Sequence, residues 1–280
     1  MITTVLKSFA GTTQSLLQSP RALAVFAGLY ALLLASLGGF IRIHEATVWQ
    51  VTVTFILLVL VPAEFFVLQS AVVTHAQQSK FQWGRILRVA FKLALVTIPI
   101  ILIGYALFLL LNKWKAHYPA PAPVLVFDTP HGPPRPQPTH WPTVLFATLR
   151  GLLFGVALPL ATIHFWLALA AHSFQEVFSG GAKPVLRRLG NVSARAFASD
   201  SVLTYALGLI VFVVLPYAVL FVHISPKGTK TDFAVFVARI MLAFAFTLVG
   251  WIATIGTLAR IGDQEAPAVA REAIAAEAPA

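Results

Sequence analysis

The chain of 280 residues has no cysteine, two methionines and little charge: Asp, Glu, Lys and Arg together make up 11% of it. Without cysteine there are no disulfides, thiolate metal sites, iron–sulfur ligands or cysteine nucleophiles. The scarcity of charge excludes more. A soluble protein needs about a quarter of its residues charged, so the outer surface of this one faces something other than water. Familiar catalytic signatures are missing as well: no P-loop, H-E-x-x-H, G-x-S-x-G, G-x-G-x-x-G or EF-hand loop occurs. Their absence argues against an enzyme.

What fills the chain is apolar. Hydrophobic residues make up 58% and the mean hydropathy is +0.83. Runs free of Asp, Glu, Lys and Arg extend over Ala22–Ile41, Ala46–Ala63, Leu93–Asn112, Gly151–Gln175, Ser201–Pro226 and Ile240–Ala259. About 20 apolar residues in a helix cross the hydrocarbon layer. The expected fold is therefore all-α: a polytopic membrane bundle of six transmembrane helices with short amphipathic cytoplasmic helices. The spans fall near 22–41, 46–73, 89–112, 143–171, 201–224 and 233–260, within a transmembrane domain 1–262. An external proline-rich loop, 113–142, holds nine of the eighteen prolines, and 263–280 is an Ala/Glu/Pro-rich tail, flexible or a loose surface helix.

Lys and Arg total 20 against 10 for Asp and Glu. Most of these cations flank spans, where they set orientation and touch lipid phosphates, so nucleic acid is not an expected partner. Arg42, Lys113, Lys115, Arg135, Lys227 and Lys230 fall on one side. Lys7, Arg21, Lys80, Arg85, Arg88, Lys183, Arg187, Arg188, Arg195, Arg260 and Arg271 fall on the other. The positive-inside rule places the richer side, with both termini, in the cytoplasm of a cell whose plasma (inner) membrane holds the protein. Lys92, Arg150 and Arg239 lie about two turns inside their spans and are expected to snorkel. Ahead of the first span, Ile2, Val5, Leu6, Phe9, Leu16 and Leu17 recur at helical spacing, as in a helix lying in the interface. Ser19-Pro20 then reads as an N-cap and first helical residue.

Two segments resemble each other. Pro62 and His75 in span two, and Pro159 and His172 in span four, are separated by the same thirteen residues. A basic stretch follows each: Arg85, Arg88 and Lys92, then Arg187, Arg188 and Arg195. A proline-broken span, a basic cytoplasmic stretch and a further span, used twice, resembles the bacterial membrane domains attached to some glycerophosphodiesterases and their six-span relatives. The resemblance covers spans two to five and implies a plan without chemistry, because no phosphodiesterase domain accompanies it.

Glu64 is the most informative single residue. A carboxylate at the centre of a span costs about 2.5–3.5 kcal/mol on the insertion scale, so it should face the bundle, be paired or be protonated. His164, in span four, is the candidate partner for an intramembrane polar site. Pro62, Pro99, Pro159 and Pro216 break the four inner spans, and broken helices often mark transport sites. Ala27, Ala31 and Ala35, and Gly151 with Gly155, permit close helix approach or oligomerisation. His117, His131, His140 and Asp128 match no metal-ligand spacing, and neither a metal nor another cofactor is expected.

These features support a non-catalytic integral membrane protein: a scaffold, accessory subunit or envelope-homeostasis factor. Its expected partners are the bilayer, with Arg85, Arg88, Lys92, Arg187, Arg188 and Arg195 on anionic headgroups, and another membrane protein or a second copy. The alternative is a small secondary transporter using Glu64, with a lipid-modifying enzyme third. The topology is testable because the chain has no native cysteine. Single cysteines at Thr139 and Ser225 should react with an impermeant thiol reagent on intact cells, and those at Ser79 and Ser179 only after lysis. The reverse pattern overturns the charge count.

Overall fold

The computed structural model describes residues 2–43, 47–78, 81–119, 140–171, 182–222 and 229–277. Among them the chain is all-α, an integral membrane bundle with six helices long and apolar enough to span a bilayer. Helix α1, Ile2–Leu17, precedes the spans. These are α2 (Pro20–Arg42), α3 (Val48–Gln78), α4 (Trp83–Lys115), α5 (Trp141–Ala171), α7 (Ser199–Phe221) and α8 (Thr229–Glu277). The short α6, Ala182–Ala196, lies between α5 and α7.

Several expected boundaries shift. The basic stretch Arg85–Lys92 is no separate amphipathic helix but the first turns of α4, which starts at Trp83 rather than near residue 89. Helix α8 continues to Glu277, so of the two forms open to the tail it takes the helical one. The proline-rich segment 120–139 and His172 lie outside the described residues. Pro20 does open α2, although the Ser19 side chain makes no capping bond.

The spans alternate in direction, so α1, α6, the end of α3 and the start of α4 share one end, the basic end, and the end of α4 and the start of α5 lie at the other, the loop end. The core sits at the basic end. Its fully buried side chains include Phe26, Val72, Val73, Ile86, Leu93, Leu160, Ile163, Ile255 and Leu258. Toward the loop end the spans part, leaving Phe55, Ile101, Tyr217 and Phe236 exposed. No more than 28% of any span's most apolar window is buried, so lipid or other helices must cover the rest. Helix α1 presents Val5, Phe9, Thr12 and Leu16 to the bundle at i, i+4, i+7 and i+11 and packs on α8, α7 and α2. Only Ile2, Leu6 and Leu17 remain outward. The helix expected to lie in lipid is thus docked on protein by its larger apolar stripe.

The prolines act in two ways. Helices α3 and α4 remain α-helical through Pro62 and Pro99. In α5 and α7 a π-helical turn precedes the proline at the same offset, Leu153–Ala157 before Pro159 and Ile210–Val214 before Pro216. Proline has no N–H, and its ring crowds the carbonyl four residues back. Widening the preceding turn relieves that crowding. Ahead of Pro159, Leu158 bonds to Leu153, and Pro159, which has no N–H, cannot serve the Gly155 carbonyl four residues back. The Tyr205 hydroxyl of α7 donates to it at 3.1 Å. The proposed duplication paired Pro62 with Pro159, yet the backbone there differs, and by its local geometry Pro159 matches Pro216.

A double-mutant cycle tests this contact. Tyr205→Phe should lower stability by about 1 kcal/mol, measured by thermal or denaturant unfolding in detergent. In a Pro159→Ala background, where the N–H returns, the same change should cost distinctly less. Equal costs in both backgrounds would show that the hydroxyl does not serve the proline break.

Candidate functional site

Glu64 lies on the half-buried face of α3 toward α2. Ser36 of α2 donates its hydroxyl to Glu64 Oε1 at 3.0 Å, while Oε2 is buried with no partner. The acid therefore links two adjacent spans through one hydrogen bond. It lines neither the cavity beside His75 nor the one between α4 and α5.

His164 is 5% exposed, and its Nε2 has no hydrogen-bond partner. No hydrogen bond connects it with Glu64; the charges acting on it are Arg195 and Asp200, at the basic end. Both α3 and α5 run from the loop end to the basic end. Counted from the starts of these helices, Glu64 is sixteen residues along and His164 twenty-three. At about 1.5 Å per residue, that difference puts His164 roughly 10 Å deeper. The two candidate residues are thus satisfied, or left unsatisfied, separately.

The basic residues divide by what they touch. Arg85 donates to the Ala170 carbonyl at 3.2 Å, and Gln77 Nε2 to the Leu167 carbonyl at 2.9 Å. Both reach the C-terminal part of α5, where the negative end of the helix dipole favours donors and cations. Arg85 is therefore engaged by protein rather than left for lipid. Arg88, Arg187 and Arg188 are exposed, while Lys92 and Arg195 are half-buried. On α6 the stripe Val185, Leu189 and Val192 is half-buried and Ala196 buried, so this helix lays its apolar side on the bundle and its arginines outward. Arg239, expected to snorkel, instead donates to the Val222 carbonyl at 2.6 Å and closes the end of α7.

His75, near the end of α3, is half-buried among aromatic rings. Its ring stacks on Phe81 at 5.1 Å and meets Phe26 edge-on at 5.4 Å, and Nδ1 has no partner. It borders a cavity of about 60 Å³ shared with Thr12, Ser15 and Arg260, room for a few waters at most.

The charge-centred reading missed a seam of small and polar residues. Gln69 Oε1 accepts from Trp251 Nε1 at 2.7 Å, and the Thr257 and Thr12 hydroxyl oxygens lie 3.3 Å apart. Gly208 lies directly against Thr254, and Gly256 against Thr12. The sequence signal was present as Ser201, Thr204 and Gly208, and as Gly250, Thr254 and Thr257, each set on one helical face. Small side chains let spans approach closely, and on α8 two threonines return their hydroxyls to their own helix, Thr254 to Gly250 at 2.6 Å and Thr257 to Ala253 at 2.7 Å. The seam joins α1, α3, α7 and α8 and is built for packing.

Comparison with protein-family models, curated proteins and solved structures yields no match. The class, an all-α integral membrane protein, rests on the fold, and function is argued from the sites.

The seam predicts a specific sensitivity. A methyl group at Gly208 would lie 2.1 Å from Thr254 Oγ1. Gly208→Ala should therefore cost about 1–3 kcal/mol, read as a lowered Tm in detergent. Adding Thr254→Ala should recover part of that loss, and failure to recover any would separate the two positions.

Proposed function

We propose that this chain is a non-catalytic membrane scaffold or accessory subunit that acts by associating with other helices in the bilayer. Its richer basic end faces the cytoplasm of a plasma (inner) membrane, as the distribution of Lys and Arg supports, and its exposed arginines lie against anionic lipid. The observation that carries this reading is the outer face of α2. Ala24, Gly28, Ala31 and Ala35 stand at i, i+4, i+7 and i+11 with Ala27 beside them, and all are exposed. No protein atom lies within 4 Å of a Cβ built on Gly28. A face suited to close helix contact is thus left unused inside the bundle.

Transport is the second reading, favoured by the unpartnered Oε2 of Glu64. The Ser36 bond and the absence of Glu64 from both cavities weigh against it.

The two readings separate in one set of variants. Ala31→Leu should reduce recovery of the associated membrane protein at least tenfold in mild-detergent pull-downs from native membranes, whereas Glu64→Gln should leave recovery unchanged. Proteoliposomes of the wild type should dissipate a proton gradient no faster than empty vesicles. Proton flux that disappears in Glu64→Gln, together with indifference to Ala31→Leu, would overturn the scaffold in favour of the transporter.

A further inference from the structure

A second opening lies away from Glu64 and His164. Between α4 and α5, toward the loop end, is a cavity of about 540 Å³, within the size range of small-molecule sites. One entire face of α5 lines it: Thr143, Ala147, Arg150, Gly151, Phe154 and Gly155 recur at helical spacing. From Thr143 to Gly155 is twelve residues, about 18 Å of helix. One leaflet of a bilayer whose hydrocarbon core is ~30 Å thick is about 15 Å deep. The opening therefore runs the depth of a leaflet.

Its floor is empty by construction. A Cβ built on Gly151 or on Gly155 meets no protein atom within 4 Å, so the pair expected to bring helices together leaves a channel instead. The α4 and α5 helices close on each other below it, where Gly104 meets Leu158, and above it, where Trp114 and Tyr118 pack on Phe146. The lining is apolar apart from Thr143 and two cations, Lys115 and Arg150, and contains no acid. Arg150 is fixed across the gap, with its guanidinium bonded to Asn112 Oδ1 and 4.9 Å from the centre of the Phe108 ring. Of its five N–H donors that hydrogen bond uses one. The Lys115 ammonium has no hydrogen-bond or ion-pair partner among the described residues.

Two cations facing an acid-free, leaflet-deep apolar slot are complementary to one kind of occupant. We propose that this cavity binds an anionic phospholipid of the loop-end leaflet, its phosphate on Arg150 and Lys115 and an acyl chain along Gly151 and Gly155. The guanidinium presents donors to phosphate oxygens, and Lys115 adds a second charge at the helix end. The chain replaces the side chains that the glycines lack. This site lies at the opposite end of the bundle from the basic surface formed by Arg88, Arg187 and Arg188, and it does not depend on the scaffold reading.

Native mass spectrometry of the full-length protein, delipidated in detergent and titrated with phosphatidylglycerol or phosphatidylcholine of matched chains, tests the proposal. The wild type should retain one phosphatidylglycerol roughly thirtyfold more tightly than phosphatidylcholine, the preference expected of two such cations. The double variant Arg150→Gln/Lys115→Gln should lose that preference, whereas Arg187→Gln/Arg188→Gln should keep it. Gly151→Leu, whose added side chain starts in open space, should exclude the lipid with both cations intact, and Gly155→Leu provides a second blocking variant. Unfolding of each lipid-free variant at the wild-type Tm shows that the fold survives. Equal retention of the two lipids by the wild type, unchanged preference in the double variant, or displacement of the lipid by glycerol 3-phosphate alone would overturn the site as a phospholipid site.

Discussion

Inside a bilayer, every backbone donor and acceptor must find its partner within the protein, because lipid supplies none. Much of the polar geometry here answers that demand. The Gly155 carbonyl, which Pro159 cannot serve, receives the Tyr205 hydroxyl. Carbonyls in the C-terminal part of α5 receive Gln77 and Arg85, and the end of α7 receives Arg239. Each bond joins a different pair of helices, so satisfying local backbone groups also sets how the spans pack. A proline or a helix end thus becomes a point of attachment between neighbours.

The bundle is consolidated at one end only. At the basic end, α1 docks by Val5, Phe9 and Leu16, and the seam of Gly208, Thr254, Gly256 and Thr12 brings helices close. Toward the loop end, large apolar side chains such as Phe55 and Phe236 face outward, and an open slot runs between α4 and α5. A membrane provides no water-driven penalty for exposing such side chains, so the loop-end halves of the spans can stay apart without loss of stability. The surfaces left there are those available to lipid or to other helices, whereas the basic end holds the spans in register.

Glu64 illustrates how a conspicuous residue takes an ordinary role once its surroundings are known. Its rarity in an apolar span made it the leading site candidate, and a hydrogen bond from Ser36 binds it to the next helix. His164, in span four, is its candidate partner in the sequence, but no hydrogen bond joins the two and depth along the helices separates them. Arg150 was set aside as a residue that reaches the interface by its length. Fixed between Asn112 and Phe108, it lines the slot between α4 and α5.

The class of fold was legible in the sequence because burying a span in lipid depends on composition over about 20 residues, a property that needs no knowledge of neighbours. Six charge-free runs, the helix start at Pro20 and the amphipathic stripes of α1 and α6 could all be read that way, since each is periodic along a single helix. The partners of the polar groups could not. Whether Arg85 meets lipid or the end of α5, and whether Gly151 and Gly155 meet a helix or open space, depends on which spans are adjacent and at what depth. Those relations join positions far apart in the chain, Arg85 with Ala170 and Tyr205 with Gly155, and only tertiary packing decides them.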